Sequence, residues 1–316
     1  MGFFKRGKHQ NYDVFSAYSW HVPGIGGMFG LLLWLLLGAL LGNIIAAIFM
    51  FAMGLGEESA LYAVLIAYPV MFIPAMIASR HISNRNMMFD TGFALDSNNF
   101  APKNGWYLAL LCMVMTLCAS FCTEPVGNLL PPMPEWLEKT LGDLTGGPIW
   151  ISLLCVSIFA PLFEEWLCRG MVLRGLLNYE RTDAEGNKVR GLKPWLAIVV
   201  SAAFFAVIHM NPWQAIPAFV LGCIFGYVYW KTGSLKLTML MHFTNNTFAV
   251  ILSNIDSLKD AEGFLDIMSP SAYWALFVIG LILLILCLRE FTKVEIPRPQ
   301  GGSTVIPAAE EAIAAE

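Results

Sequence analysis

The stretch Pro148–Leu177, PIWISLLCVSIFAPLFEEWLCRGMVLRGLL, decides the fold class. It carries no charge over the sixteen residues 148–163, then sets Glu164 and Glu165 side by side, with Arg169 four positions after Glu165. A helix of about 20 mostly apolar residues crosses a hydrocarbon core of about 30 Å. These 30 residues are long enough to span a bilayer, so the carboxylate pair falls within a membrane helix.

The rest of the 316-residue chain has the same character. It is 57% hydrophobic and 13% charged, with a mean hydropathy of +0.62, whereas soluble domains carry about 25% charged residues. Eight apolar segments are long enough to predict spanning helices, at 28–53, 61–79, 106–122, 148–177, 195–210, 213–230, 237–253 and 272–288. Trp106, Trp195, Trp213 and Trp230 stand at segment ends, where indole rings anchor at the headgroup level. The expected fold is an all-α, polytopic membrane helix bundle of about eight transmembrane helices.

Charge sets the expected orientation. Of 19 Lys and Arg residues, 16 fall on the side of the bundle that carries both termini, Lys139 and Lys259 fall on the other, and Arg169 lies in a span. The Lys/Arg-rich side is cytoplasmic in such proteins, so both termini are expected in the cytoplasm, and the composition suits a bacterial plasma membrane. The basic start leads into a polar aromatic stretch rather than an h-region, so the first helix is expected to remain uncleaved. The chain divides into an N-terminal segment (1–27), N-terminal membrane helices and loops (28–147), a motif-bearing core (148–253), an outer loop with the last helix (254–294) and a Pro/Gly/Ala/Glu-rich tail (295–316) expected to be disordered.

Several classes lose support. The seven cysteines show no CxxC or paired spacing and read as reduced core residues. A net charge of −4 without a basic block gives no sign of a nucleic-acid partner. No internal repeat supports an inverted-repeat transporter. Gly38 with Gly42, and Gly222 with Gly226, are small-xxx-small pairs that permit close helix contact. The loop NYERTDAEGNK (178–188) reads as solvated, and the outer stretch TEPVGNLLPPMPEWLEKTLGD (123–143) as a cap on the bundle.

Ionisable groups inside spans are costly and mark functional candidates. Glu165 and Arg169, four apart on one helical face, predict an internal ion pair, which leaves Glu164, about 100° away around the helix, needing another partner. His209 closes the apolar run LAIVVSAAFFAVIH, with Phe205 on its face. His242 and Asn246 share a face of the seventh segment, with Asn245 turned aside. Taken singly, each is an ordinary hydrogen-bonding residue between helices. Brought together, a carboxylate and an imidazole can activate water, while an imidazole and an amide N–H can hold an oxyanion.

Glu164-Glu165-Trp-Leu-Cys-Arg169 fits EExxxR, Phe205-Ala-Val-Ile-His209 fits FxxxH, and His242-Phe-Thr-Asn-Asn246 fits HxxxN. In this order on successive spans they resemble the CPBP family of intramembrane proteases, which includes CAAX-processing endopeptidases and bacterial bacteriocin-processing or self-immunity proteins. The resemblance covers about 148–253. It implies that Glu164 and His209 polarise the attacking water, that His242 and Asn246 hold the oxyanion, and that Glu165 and Arg169 form a structural pair. It also implies a membrane-anchored or prenylated peptide as substrate. Family members are described as metalloproteases, and Glu164, His209 and His242 are ligand types that Zn²⁺ accepts, but no HExxH is present, so zinc and a metal-free glutamate mechanism both stay open. Counted along straight helices, His209 falls about 20 Å deep and His242 about 9 Å deep. Convergence therefore requires helix tilt, a deeper start for the fourth and seventh helices, or a fifth helix that begins later than Trp195, and HMNPW with Pro212 is expected to end the fifth helix inside the protein. A catalytically silent scaffold or immunity protein and a proton- or cation-conducting bundle are the competing classes.

Overall fold

The computed structural model describes residues 23–55, 60–85, 95–97, 100–127, 129–182, 186, 188–258, 261 and 263–296. The N-terminal segment up to residue 22 and the tail from 297 lie outside the described residues. The helices are α1 (Ile25–Ala52), α2 (Ala60–Arg85), α3 (Gly105–Gly127), α4 (Glu135–Gly146) and α5 (Ile149–Asn178). They continue with α6 (Pro194–Val207), α7 (Pro212–Thr232), α8 (Leu235–Ser253) and α9 (Pro270–Thr292). Every predicted segment folds as a helix, in a polytopic all-α bundle.

Six of these, α1, α2, α3, α5, α7 and α9, are long and apolar enough to cross a membrane. The other two predicted spans differ. Helix α6 has 14 residues, about 21 Å, which is short of the hydrocarbon thickness. Helix α8 has 19 residues but carries His242, Asn245 and Asn246, which lower its apolar content.

Two further elements lie in stretches that the sequence reading treated as loops. Helix α4 occupies the outer cap; Glu135 and Glu138 fall in its first turn, where carboxylates favour the helix dipole, and Leu137 is buried. The stretch after α5 forms a minimal antiparallel hairpin, β1 (Glu180–Thr182) with β2 (Lys188–Arg190), in which Arg181 pairs with Val189.

Packing follows the small residues. A Cβ on Gly38 would stand 2.0 Å from the Met71 carbonyl oxygen and one on Gly42 2.5 Å from that of Ala67, so α1 lies directly against the α2 backbone. On α7, a Cβ at Gly222 would meet Ala202 and one at Gly226 would meet Ile198, each at 3.1 Å. Both pairs thus work within the chain. Lipid tails are as apolar as leucine, so such close backbone approach, rather than burial from water, favours helix association. Two buried clusters result. One joins α1, α2, α5 and α6 around Leu31, Phe72, Trp166 and Ile198. The other joins α3, α7, α8 and α9 around Met115, Phe225, Met241 and Phe291.

Helix α8 is seated by a loop residue. Gly233 adopts φ 63° between α7 and α8, a left-handed turn that a side chain would strain. At the start of α8, Asp96 is 3% exposed, and its Oδ1 accepts from the Leu235 N–H at 2.7 Å and the Lys236 N–H at 3.3 Å. Its Oδ2 lies 3.1 Å from Lys236 Nζ. The segment also receives the Tyr229 hydroxyl on the Leu95 carbonyl at 2.8 Å. The α2–α3 connection therefore caps the helix that carries His242.

Two outcomes are expected. Gly38→Leu should destabilise the protein by about 1–3 kcal/mol in a detergent unfolding titration, while Gly30→Ala, with nothing within 4 Å of the new methyl, should be neutral. Asp96→Ala should cost about 1–2 kcal/mol in the same assay, as loss of a helix cap does.

Candidate active site

Helix α5 carries the paired carboxylates between two wide, π-helical stretches, Leu153–Phe159 and Trp166–Leu173. Wide turns of this kind recur at functional sites. Here the first has a local cause. Pro161 has no N–H and its ring crowds the preceding turn, and the Ala160 N–H reaches back five residues to the Cys155 carbonyl. The Val156 carbonyl would take its hydrogen bond from residue 160 in an α-turn or from residue 161 in a π-turn. The first donor is committed to Cys155 and the second is proline. Asn246 Nδ2 on α8 supplies the missing donor, at 2.7 Å.

Glu165 is the centre of the polar network. Its Oε1 accepts from Arg169 Nη1 at 2.8 Å, with both side chains 0% exposed. The same oxygen lies 3.0 Å from His242 Nδ1. Arg169 also donates from Nη2 to the Gly222 carbonyl at 3.1 Å, and its guanidinium stands 4.5 Å from the Phe205 ring centroid and 5.3 Å from that of Phe225. The predicted ion pair is present, and it extends to His242. A ring nitrogen facing a carboxylate at this distance carries the proton, so Nδ1–H donates and Nε2 is left for other chemistry.

Glu164 turns the other way. Its Oε1 accepts the hydroxyl of Tyr68 on α2. Its Oε2 lies 3.9 Å from His242 Nε2, and the side chain is 13% exposed against 6% for His242. Oε2 is buried and accepts no hydrogen bond from the described residues. A water at about 2.8 Å from each of these two atoms would sit about 2 Å off the line joining them.

Asn246, one turn beyond His242, belongs to a chain of amides. Ser120 on α3 donates to Asn245 Oδ1 at 2.6 Å, and Asn245 Nδ2 donates to Asn246 Oδ1 at 3.0 Å. Asn246 is thereby oriented with one N–H on Val156 and a second available. Asn245, read from the sequence as turned aside, orients its neighbour.

His209 lies just past the end of α6. The helix stops at Val207, and Met210 turns the chain at φ 56°. Asn211 then caps α7 by accepting from the Gln214 N–H at 2.9 Å. HMNPW does end the fifth helix early, whereas a late start is not the reason, since α6 begins at Pro194. The Phe205 ring nevertheless lies near both imidazoles, its centroid 4.9 Å from that of His209 and 5.6 Å from that of His242, T-shaped to each. His209 Nδ1 is 2.8 Å from the Phe205 carbonyl oxygen. The hydrogen bonds and ion pairs among the described residues do not link His209 to Glu164 or His242; both imidazoles pack against the Phe205 ring.

This bears on zinc. Among the described residues no three His, Cys, Asp or Glu side chains form a metal-holding group. Glu164 and His242 face each other, while His209, the expected third ligand, turns its Nδ1 to the Phe205 carbonyl. In this arrangement the side chains do not form a three-ligand site.

Two contributors escaped the sequence reading. Tyr68 and Ser120 sit in apolar spans without a motif, and only contacts between helices reveal them.

The family model described as type II CAAX prenyl endopeptidase Rce1-like matches residues 146–248. That segment contains EExxxR, FxxxH and HxxxN. A similar protein is the membrane-embedded CAAX protease MroQ of Staphylococcus aureus (strain USA300), 34% identical over 114 residues. The alignment covers 35% of this chain and 43% of that protein's length. No solved structure matches the chain. Helices α1–α4 lie wholly or almost wholly before the matched segment, while the three motifs fall in the expected order on α5, across the end of α6, and on α8. Over its motif-bearing core, the chain is thus similar to the CAAX protease family of membrane-embedded peptidases.

Proposed function

We propose that the protein is an intramembrane endopeptidase that hydrolyses a peptide bond of a membrane-anchored, CAAX-like protein or peptide by glutamate-activated water. The observation that carries this reading is the opposition of Glu164 Oε2 and His242 Nε2 at 3.9 Å inside a buried network that fixes both side chains. Glu164 takes a proton from water as the water oxygen bonds to the scissile carbonyl carbon, and the carbonyl electron pair moves onto oxygen. The second N–H of Asn246 and the Nε2–H of His242 in its doubly protonated form hold that oxyanion, while Glu165, 3.0 Å from Nδ1, accepts from the other ring nitrogen. The C–N bond then breaks, Glu164 returns the proton to the leaving nitrogen, and an acid and an amine depart.

His209 has Nε2 free once Nδ1 faces the Phe205 carbonyl. Beside Glu164 it would help to polarise the water, the role that the FxxxH resemblance implies. The Lys/Arg distribution supports cytoplasmic termini, and the staphylococcal relative supports a bacterial plasma membrane as the location.

The test is cleavage of a panel of membrane-anchored and prenylated peptides by purified protein in detergent, with and without chelator. Glu164→Gln and His242→Ala should each lower kcat by about 10²–10⁴-fold, and Asn246→Ala by about 10²–10³-fold, in proteins that remain folded. A His209→Ala loss as large as that of His242→Ala would show that His209 reaches the water. Activity lost to chelator and restored by zinc would replace the metal-free step. A folded wild type that cleaves nothing, with the mutants keeping its cellular phenotype, would favour a silent scaffold.

A further inference from the structure

The matched segment begins at residue 146, yet one oxygen of Glu164 is held from outside it. Tyr68, on α2, donates its hydroxyl hydrogen to Glu164 Oε1. The tyrosine ring lies 5.6 Å from Phe72, and Phe72 stacks on Phe163 at 5.1 Å with an interplanar angle of 13°. Phe163 immediately precedes Glu164. The hydroxyl is therefore carried on an aromatic column whose far end is the same turn of α5 that bears the carboxylate. Phe72, in the middle of the column, is 1% exposed.

A carboxylate can exchange its two oxygens by rotating about the bond to its carboxyl carbon. A donor fixed on one oxygen opposes that rotation. With Oε1 held by Tyr68, the oxygen left toward His242 Nε2 is Oε2, which is buried and accepts no hydrogen bond from the described residues.

We propose that Tyr68 is a positioning residue: it pins Oε1 of Glu164 and thereby commits Oε2 to the reaction, so that α2, outside the motif-bearing core, is part of the catalytic apparatus. The inference rests on the peptidase reading given above. The competing role for Tyr68 is a plain interhelical tie between α2 and α5, which would affect stability and leave turnover alone.

Steady-state cleavage by the full chain in detergent separates the two, with Tyr68→Phe compared against Tyr62→Leu. Tyr62→Leu loosens a different α2–α5 contact, the Tyr62 ring 6.2 Å from that of Trp150, outside the aromatic column. Tyr68→Phe should lower kcat by about ten- to a hundredfold, the effect of losing a hydrogen bond to a charged group, with KM changed by less than about twofold. The folded fraction of Tyr62→Leu should keep the wild-type kcat, whatever its Tm. Wild-type kcat in Tyr68→Phe overturns the inference. So does a raised KM at constant kcat, which would place the hydroxyl on the substrate. If the wild type cleaves and Tyr68→Phe cleaves equally fast, only the positioning role falls; if the wild type cleaves nothing, the peptidase reading falls and takes this role with it.

Discussion

One carboxylate oxygen organises the interior of this protein. Glu165 Oε1 is shared by Arg169 on its own helix and His242 on α8, with Glu165 and Arg169 fully buried. Charges removed from water are tolerated only when paired and hydrogen-bonded, and breaking one partner of a buried pair costs about 3–5 kcal/mol because the other is left uncompensated. Here the compensation is distributed. Arg169 extends it to the Gly222 carbonyl on α7 and to the faces of Phe205 and Phe225. A single ionic contact therefore holds α5, α6, α7 and α8 in register, and it is the same contact that aims the imidazole of His242.

The second constraint is backbone accounting. In lipid, each peptide group must find its partner within the protein. Pro161 leaves the Val156 carbonyl without a helical donor, and the amide of Asn246 fills that place. The cost of placing a proline in α5 is thus offset by the residue whose remaining N–H suits an oxyanion. The π-helical stretches on either side let the helix take up that distortion beside Glu164 and Glu165, where the chemistry is proposed. Ser120 and Asn245 complete the line of donors that fixes the amide's orientation.

How much of this was legible follows from where the signal resides. Glu165 with Arg169, and His242 with Asn246, are four apart on single helices, so spacing alone put each pair on one face. The apolar runs located all eight long segments, and Gly38 with Gly42 announced close packing that the structure places against α2. Tyr68 on Glu164 and Ser120 on Asn245 join residues 96 and 125 positions apart, and no periodicity encodes such contacts. Helix α4 was hidden by the prolines just before it and by its modest apolar content. The surroundings of His209 were not legible because they depend on where the helix stops; α6 ends after 14 residues, and a turn at Met210 redirects the chain.

The claim that Glu165 serves both the fold and the chemistry is most directly tested by the kcat of Glu165→Gln, measured on folded protein well below its Tm. The neutral amide keeps the size of the side chain but leaves Arg169 without its counter-charge and His242 without its anionic acceptor. A lowered Tm together with a loss in kcat of about a hundredfold or more is the expected result. A lowered Tm with wild-type kcat would contradict the account and reduce Glu165 to a structural partner of Arg169.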